Sequence, residues 1–176
     1  MENKKLTDMI PPYNPLLPKK LEGSEDGNKI LTFLNSNLKP VQFLKEYMMP
    51  VLSGSQSIFN ALNSIRRAKR LIRGFEDAEK KLNAERVGIK KVDNKTGSER
   101  IERISRIVVV TNDGSERFYR QTKKLVEQNS PRVMAIYLDI SSFDLGERLF
   151  GPGKRALCLL INHKEAVINF LTSLIN

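Results

Sequence analysis

The stretch Arg106-Ile107-Val108-Val109-Val110-Thr111 and the residues that follow it, Asn112-Asp113-Gly114-Ser115, decide the fold class. A β-branched run of this kind is typical of a strand that is buried on both faces. The next four residues favour a turn, and Ser115 is a suitable N-cap for a helix over residues 116–129. The region therefore predicts a buried strand, a short turn and a helix in direct succession.

The alternation of strands and helices continues to the C-terminus. The pattern predicts a strand over residues 133–138, a short helix that begins at 141–144, a strand over 156–161 and a closing amphipathic helix over 164–175. A loop, Gly151-Pro152-Gly153-Lys154-Arg155, precedes the last strand. Elements in this order predict an α/β sandwich whose sheet is covered on both faces.

Upstream of this region, the sequence predicts two helices. Apolar residues at helical spacing predict one helix from residue 56 to 73. Gly74 ends it, and residues 75–82 predict a shorter helix with Glu76 and Asp77 in the first turn, where the helix dipole favours acids. Because basic side chains are concentrated beside that second helix N-terminus, we interpret them as a nucleic-acid surface rather than a solvated face. These side chains are Arg66, Arg67, Lys69, Arg70 and Arg73.

The N-terminal region differs in composition. Residues 1–24 contain four prolines, which block helices and central strands alike, and they predict an extended arm. A helix over 24–38 and a second short segment over 41–51 follow. We therefore predict an N-terminal arm with short helices, residues 1–55, and an α/β domain, residues 56–176. Within that domain, the charged residues 85–103 contain a turn signal and form either a small hairpin or a solvated insertion.

Composition narrows the class of function. The 176 residues carry 30 Lys and Arg against 20 Asp and Glu, a net charge of +10 at pH 7. Such a surplus favours a polyanionic partner, most often nucleic acid. No apolar run reaches the roughly 18 residues of a membrane span, and the N-terminus does not resemble a signal peptide. One cysteine excludes an internal disulfide and suits a reducing compartment, the cytosol or the nucleus.

Signals for catalysis or cofactor binding are weak. A single Cys158 and a single His163 exclude paired-histidine and multi-cysteine metal sites, and their simpler interpretation is a core thiol and a helix-entry residue. The loop 151–155 lacks the spacing and the Ser or Thr of a phosphate-binding P-loop. The amides of residues 112–115 could bind an anion, although a capped turn is the commoner structure. We expect no catalytic residue, no metal and no cofactor.

Residues 56–162 resemble the kink-turn-binding ribosomal protein superfamily of the archaeal L-seven-Ae type. The resemblance lies in segments that follow the family's order: AKRLIRG at 68–74, FEDAEKKL at 75–82, IVVVTND at 107–113, and DLGERLFG with KRA at 144–156. It implies a three-layer αβα sandwich that binds RNA and has no catalytic role of its own.

The resemblance also implies which residues contact RNA. In the family, a Gly-x-Asn-Glu segment at a helix start recognises sheared G·A pairs, and a nearby Lys contacts phosphate. Gly74 and Lys80 match, but Glu76 stands where Asn is usual and Asp77 where Glu is usual; an ionised Glu cannot donate a hydrogen bond. The loop 150–155 matches the family loop that packs against a flipped-out base. The expected RNA-binding residues are Lys69, Arg70, Arg73, Gly74, Glu76, Asp77, Lys80, Phe150, Pro152, Lys154 and Arg155.

The N-terminal part resembles one subfamily, the kink-turn-type protein subunit of eukaryotic RNase P and RNase MRP. The matching elements are Tyr13-Asn14-Pro15-Leu16, the pair Glu25-Asp26 and a short helix before the sandwich. They imply a nuclear or nucleolar ribonucleoprotein subunit for tRNA and rRNA processing, with catalysis in the RNA and other protein subunits docked on 1–55 and 85–103. A snoRNP protein, a cytoplasmic ribosomal kink-turn protein and a protein-interaction module on the same fold are the alternatives.

Overall fold

The computed structural model describes residues 13–97 and 102–176. Helices and strands alternate along most of these ranges. Their bounds are α1 (Glu25–Ser36), β1 (Leu38–Val41), β2 (Leu44–Ser53), α2 (Gln56–Arg67), β3 (Leu71–Arg73), α3 (Phe75–Thr96), β4 (Arg106–Val110), α4 (Glu116–Gln128), β5 (Val133–Asp139), α5 (Ser142–Phe150), β6 (Cys158–Ile161) and α6 (Lys164–Ser173). No helix in these ranges combines the length and apolarity that a membrane crossing requires.

The strands form one mixed sheet in the order β1-β2-β5-β4-β6-β3. The predicted central strand, β4, is paired on both sides: Val108 lies opposite Ala135 of the parallel β5 and opposite Leu160 of the antiparallel β6. Outside them, β2 runs parallel to β5, while β3 is antiparallel to β6 and β1 to β2. Residues 107–110 are fully buried, as their β-branched composition predicted.

Helices cover both faces of this sheet, because successive side chains of a strand point to opposite sides. Ile107 and Val109 pack with apolar residues of α1, α2, α5 and α6. Val108 and Val110 pack with α3, α4 and the β1–β2 hairpin. The predicted α/β class with a sheet covered on both faces is therefore confirmed.

The elements from β4 onward agree closely with the sequence-based predictions. The Ser115 hydroxyl accepts a hydrogen bond from the Phe118 amide at 3.1 Å and caps α4. Ser141 caps α5 in the same way, at 3.0 Å from the Asp144 amide. Residues 151–155 form the predicted loop before β6.

The predicted helix over residues 56–73 is correct only as far as Arg67, where α2 ends. Lys69 adopts a left-handed conformation with φ of 58°, and the chain then continues as the short strand β3. The reason is tertiary: β3 pairs with β6, and its flanking groups also bond there, with the Asn162 amide donating to the Arg70 carbonyl at 2.9 Å. These long-range hydrogen bonds outweigh the helical spacing of the apolar residues.

The helix predicted over 75–82 is longer in the structure than in the prediction. The hairpin, one of the two alternatives for 85–103, is wrong. Helix α3 continues to Thr96 and ends at Gly97, which has the left-handed φ of 63° that favours glycine. Six of the fourteen residues from 83 to 96 are Ala, Glu, Arg or Lys, which favour helices on an exposed face. Residues 98–101 of this segment lie outside the described residues.

The N-terminal region also needs a correction. Residues 1–12 lie outside the described residues, and the predicted helix over 24–38 corresponds to α1. The second short segment of the arm, predicted over 41–51, is not a short helix: residues 38–53 form the β1–β2 hairpin, and Val51 to Ser53 pair with β5. Leu44 and Met49 of the hairpin are buried in the same cluster as Val108, whereas Leu52 is buried on the other side of the sheet, in the cluster of Ile107. This part of residues 1–55 therefore extends the sheet of residues 56–176.

Candidate nucleic-acid interface

Most of the expected RNA-binding residues lie at one edge of the sheet. Strands β3, β4 and β5 are parallel to one another and end at this edge, at Arg73, Val110 and Asp139, and the antiparallel β6 begins there at Cys158. We call it the carboxyl edge. The loop 151–155 and the first residues of α3, α4 and α5 lie here too, because each of these segments directly adjoins a strand end.

Gly74 turns the chain from β3 directly into α3. Its amide donates to the Cys158 carbonyl at 2.9 Å, which extends the β3–β6 ladder by one residue, and its carbonyl accepts from the Ala78 amide at 3.1 Å. The φ of +105° at Gly74 lies in the region that favours glycine, and no atom lies within 4 Å of where a Cβ would be. Helix α3 has no side-chain cap, so its first amides remain available as hydrogen-bond donors.

The loop 151–155 lies next to this junction. The Arg73 guanidinium stacks over the ring of Phe150 with 4.8 Å between its carbon and the ring centroid, which joins β3 to the end of α5. The loop packs closely on α5, since a Cβ at Gly146 would lie 2.3 Å from the Lys154 carbonyl oxygen. The Glu147 carboxylate also accepts from the Gly153 amide at 3.2 Å. The exposed residues of the loop are Pro152, Gly153, Lys154 and Arg155.

The structure thus brings together most of the expected site. Arg73, which directly precedes Gly74, stacks over Phe150, and Glu76, Asp77 and Lys80 are exposed on the first two turns of α3. Pro152, Lys154 and Arg155 are exposed in the adjoining loop. The edge therefore offers cations, free helix amides and carboxylate acceptors, the groups that bind phosphates and guanine edges.

Lys69 and Arg70 do not belong to this group. They lie at the opposite end of β3, which we call the amino edge because β3, β4 and β5 begin there. The Arg70 guanidinium is 3.3 Å from the Glu165 carboxylate in the first turn of α6. The expected continuous basic helix is therefore divided between two edges of the sheet.

The loop after β4 is a capped turn whose polar groups satisfy one another. The Asp113 carboxylate accepts from the Thr111 hydroxyl at 2.9 Å and from the amide and hydroxyl of Ser142 at 2.9 and 2.7 Å. Burial raises the pKa of Asp113, but the hydrogen bonds from Ser142 and Thr111 outweigh it and hold the pKa below its ordinary value. The turn at residues 112–115, whose amides were one candidate anion site, is thus occupied by the protein's own Asp113 carboxylate. This carboxylate links the β4–α4 and β5–α5 connections.

Sequence reasoning missed one aromatic side chain at the carboxyl edge. Phe143 lies in the first turn of α5 and is 43% exposed. The inward residues of α5 are Leu145 and Leu149, and Phe143 precedes Leu145 by two positions, about 200° around a helix. This angular offset in the sequence is the signal that could have identified it.

Cys158 and His163 have the structural roles that the sequence favoured. The Cys158 side chain is buried in the core, and burial raises the pKa of its thiol to about 12. His163 caps α6, its Nδ1 accepting from the Glu165 amide at 3.2 Å. The two residues lie at opposite ends of β6, so they form no catalytic pair. Within residues 13–97 and 102–176, no group of three His, Cys, Asp or Glu side chains could hold a metal ion.

Comparison with known protein families and with curated protein sequences assigns no function to the chain. The chain matches no model of a known protein family and no curated protein sequence. Its function is therefore inferred from the geometry and charge of the two edges of the sheet.

Proposed function

We propose that the chain is a non-catalytic RNA-binding subunit of a ribonucleoprotein and that it recognises a kink-turn-like RNA element through the carboxyl edge. The fold is then the kink-turn-binding type of αβα sandwich. RNase P and RNase MRP, which process tRNA and rRNA in the nucleus and nucleolus, are the first candidates for the particle. The observation that carries this proposal is the contact between Arg73 and Phe150, which joins the uncapped start of α3 to the exposed basic loop.

Each part of this edge suits a different group of RNA. Gly74 has no side chain, so an RNA backbone can approach the first amides of α3 closely. The Asp77 carboxylate can accept hydrogen bonds from a guanine edge, and Lys80 extends from the next turn toward phosphate. Lys154 and Arg155 supply further phosphate contacts, while Pro152 and the exposed ring of Phe143 offer flat surfaces for an unstacked base.

Glu76 changes the recognition that the family pattern implies. An amide at this position could donate and accept, whereas the exposed Glu76 carboxylate only accepts when it is ionised. Recognition here therefore uses acceptors toward the bases, and the donors come from the backbone and from Arg73, Lys80 and Lys154. In the particle, the RNA would carry out catalysis, and this chain would stabilise the folded form of the RNA.

Exposed apolar residues support docking of other protein subunits on residues 1–55 and 85–103. Five large apolar side chains are prominently exposed within the described ranges. Leu16 and Phe43 belong to the first segment, Val87 and Val92 to the second, and Phe143 to the carboxyl edge. Exposed apolar side chains in these two segments are available for contact with a protein partner.

The direct test is to purify the tagged protein from its native cells and sequence the RNA that accompanies it. Enrichment of RNase P or MRP RNA is expected. Guide RNA or ribosomal RNA would instead place the protein in a snoRNP or a ribosome. Recovery of no specific RNA would contradict the proposal and favour a protein-interaction module.

A binding experiment tests the surface itself. The triple variant Arg73→Gln, Lys80→Gln, Lys154→Gln should reduce the slope of log K against log salt for a kink-turn RNA by about two to three units, since each lost phosphate contact removes somewhat under one. The control is Lys39→Gln, Lys45→Gln, Lys124→Gln, which removes the same charge from exposed positions elsewhere. Equal slopes for the two triple variants would exclude the carboxyl edge as the RNA surface.

A further inference from the structure

The amino edge of the sheet carries a second group of positive charges, which the proposed RNA site at the carboxyl edge does not include. Two neighbouring cavities of about 200 and 360 Å³ open at this edge and share Ile89, Glu102 and Arg132 in their walls. Two carboxylates, Asp93 and Glu102, are among their described lining residues. Six cations line the same cavities: Lys19, Arg86, Lys90, Arg103, Arg132 and Lys164.

Hydrogen-bonding groups without partners are found at the same edge. Within the described residues, four buried side-chain atoms here have no hydrogen-bond partner: Arg66 Nε, Asn129 Oδ1, Arg132 Nη2 and Asn162 Oδ1. They belong to the end of α2, the C-cap of α4, the residue before β5 and the residue after β6. A buried polar group without a partner is destabilising, so several such groups at one edge call for a physical explanation.

Arg132 is the centre of this arrangement. It is 8% exposed, and its Nη1 donates to the Glu85 carboxylate at 2.6 Å. The same carboxylate accepts from Arg106 Nε at 3.2 Å, so one negative charge is shared by two guanidinium groups. A net positive charge and the unused Nη2 donor therefore remain at a nearly buried position in the walls of both cavities.

We infer that the amino edge is a second RNA-contacting surface, which binds the phosphate–ribose backbone without recognising base sequence. RNA supplies at every nucleotide both groups that this edge lacks. Phosphate oxygens accept from Arg132 Nη2 and from the exposed Lys19, Lys90 and Lys164, and a 2′-hydroxyl group donates to Asn129 Oδ1 in the wall of the smaller cavity. The inference rests on the proposed function, since it assigns a second contact on the same class of ligand.

The two edges are far enough apart to hold different parts of one RNA. Strand β4, which spans the sheet between them, has five residues and is therefore about 16 Å long. A kink-turn bound at the carboxyl edge leaves the amino edge free for a neighbouring helix of the same molecule. The protein would then fix the relative position of two RNA segments.

The first test uses a 20-base-pair RNA duplex without a kink-turn as the probe. The variant Lys19→Gln, Lys90→Gln, Lys164→Gln should reduce its salt slope by about two to three units, whereas the control Lys39→Gln, Lys45→Gln, Lys124→Gln and the carboxyl-edge triple variant should keep the wild-type slope. Equal slopes for the amino-edge variant and the control would overturn the inference. Unchanged binding of kink-turn RNA by the carboxyl-edge variant would overturn the proposed function instead, so the two failures are distinguishable.

The second test identifies the class of ligand, because an acidic protein segment carries negative charge as RNA does. Unlabelled RNA duplex should displace the bound duplex at a lower concentration than polyglutamate of equal charge. Polyglutamate that competes as well as RNA at equal charge would identify an acidic protein segment as the ligand and overturn the inference.

Discussion

Alanine at Gly146 and alanine at Gly88 should change the stability of this protein in opposite directions, although both glycines lie inside helices. Gly146 is in α5 and Gly88 is in α3. A Cβ at Gly146 would lie 2.3 Å from the Lys154 carbonyl oxygen and 2.5 Å from the Arg155 Cα. A Cβ at Gly88 would have no atom within 4 Å. The pair therefore separates the effect of helix propensity from that of the contact with the loop.

The expected magnitudes follow from two opposing effects. Replacing glycine by alanine within a helix stabilises it by about 1 kcal/mol, and this gain is common to both sites. At Gly146 the new methyl group meets backbone atoms that cannot rotate away, and overpacking of this kind costs about 1–3 kcal/mol or more. Contacts with two backbone atoms favour the upper end of that range. We expect Gly88→Ala to stabilise by about 0.5–1 kcal/mol and Gly146→Ala to destabilise by about 1–2 kcal/mol.

Urea unfolding of the two variants beside the wild type measures both free energies, provided that the m-values agree. Gly146→Ala should also weaken kink-turn RNA binding, because the loop 151–155 must move to admit the methyl group. Equal stabilisation by the two alanines would show that the loop does not pack on α5. The proposed position of Lys154 beside the start of α3 would then lose its support.

Two further predictions concern single side chains. Asp113→Asn should lower the free energy of unfolding by about 1–2 kcal/mol at pH 7, because the carboxylate accepts three hydrogen bonds, although its exposure moderates their contribution. The pKa of Asp113 is lower in the folded state than in the unfolded state. This stabilisation is therefore present above the unfolded-state pKa, near pH 4, and is lost as the pH falls through the folded-state pKa. Urea unfolding from about pH 7 to about pH 2.5 should show the stabilities of the variant and the wild type converging. The Cys158 thiol, buried and with its pKa raised to about 12, should resist iodoacetamide at pH 8 in the native protein and react after unfolding; native labelling at the rate of a free thiol would contradict its place in the core.

The elements that sequence reasoning located well are those specified by neighbouring residues. Strand β4, the turn after it and the cap of α4 depend on a β-branched run, Asp113-Gly114 and Ser115, all within ten positions. The loop at 151–155 and the helix starting near Ser141 are likewise marked by Gly, Pro and Ser at the residues concerned. Local chemistry is enough for these elements because each one satisfies its own end groups.

The elements that sequence reasoning missed depend on distant partners. Strand β3 has three residues, and Leu71 pairs with Ile161, ninety positions further along the chain. Likewise, Val51 of β2 pairs with Tyr137. The helical spacing of the local apolar residues predicts a helix through β3, but pairing with β6 outweighs it, and pairing with β5 likewise determines the end of β2. The same applies to the candidate site, since the contact of Arg73 with Phe150 joins segments that are far apart in the sequence.

The division of the basic segment follows from this misassigned strand and has a functional consequence. On one continuous helix, the five cations between residues 66 and 73 would form a single surface. The left-handed turn at Lys69 and the pairing of β3 instead leave Arg66, Arg67 and Arg70 at the amino edge and carry Arg73 to the carboxyl edge. Positive charge at both ends of the strands suits a protein that holds two RNA segments, because each segment gains phosphate contacts that the other does not compete for. If both edges bind, the loss of either should leave part of the salt dependence, and only the loss of both should remove most of it.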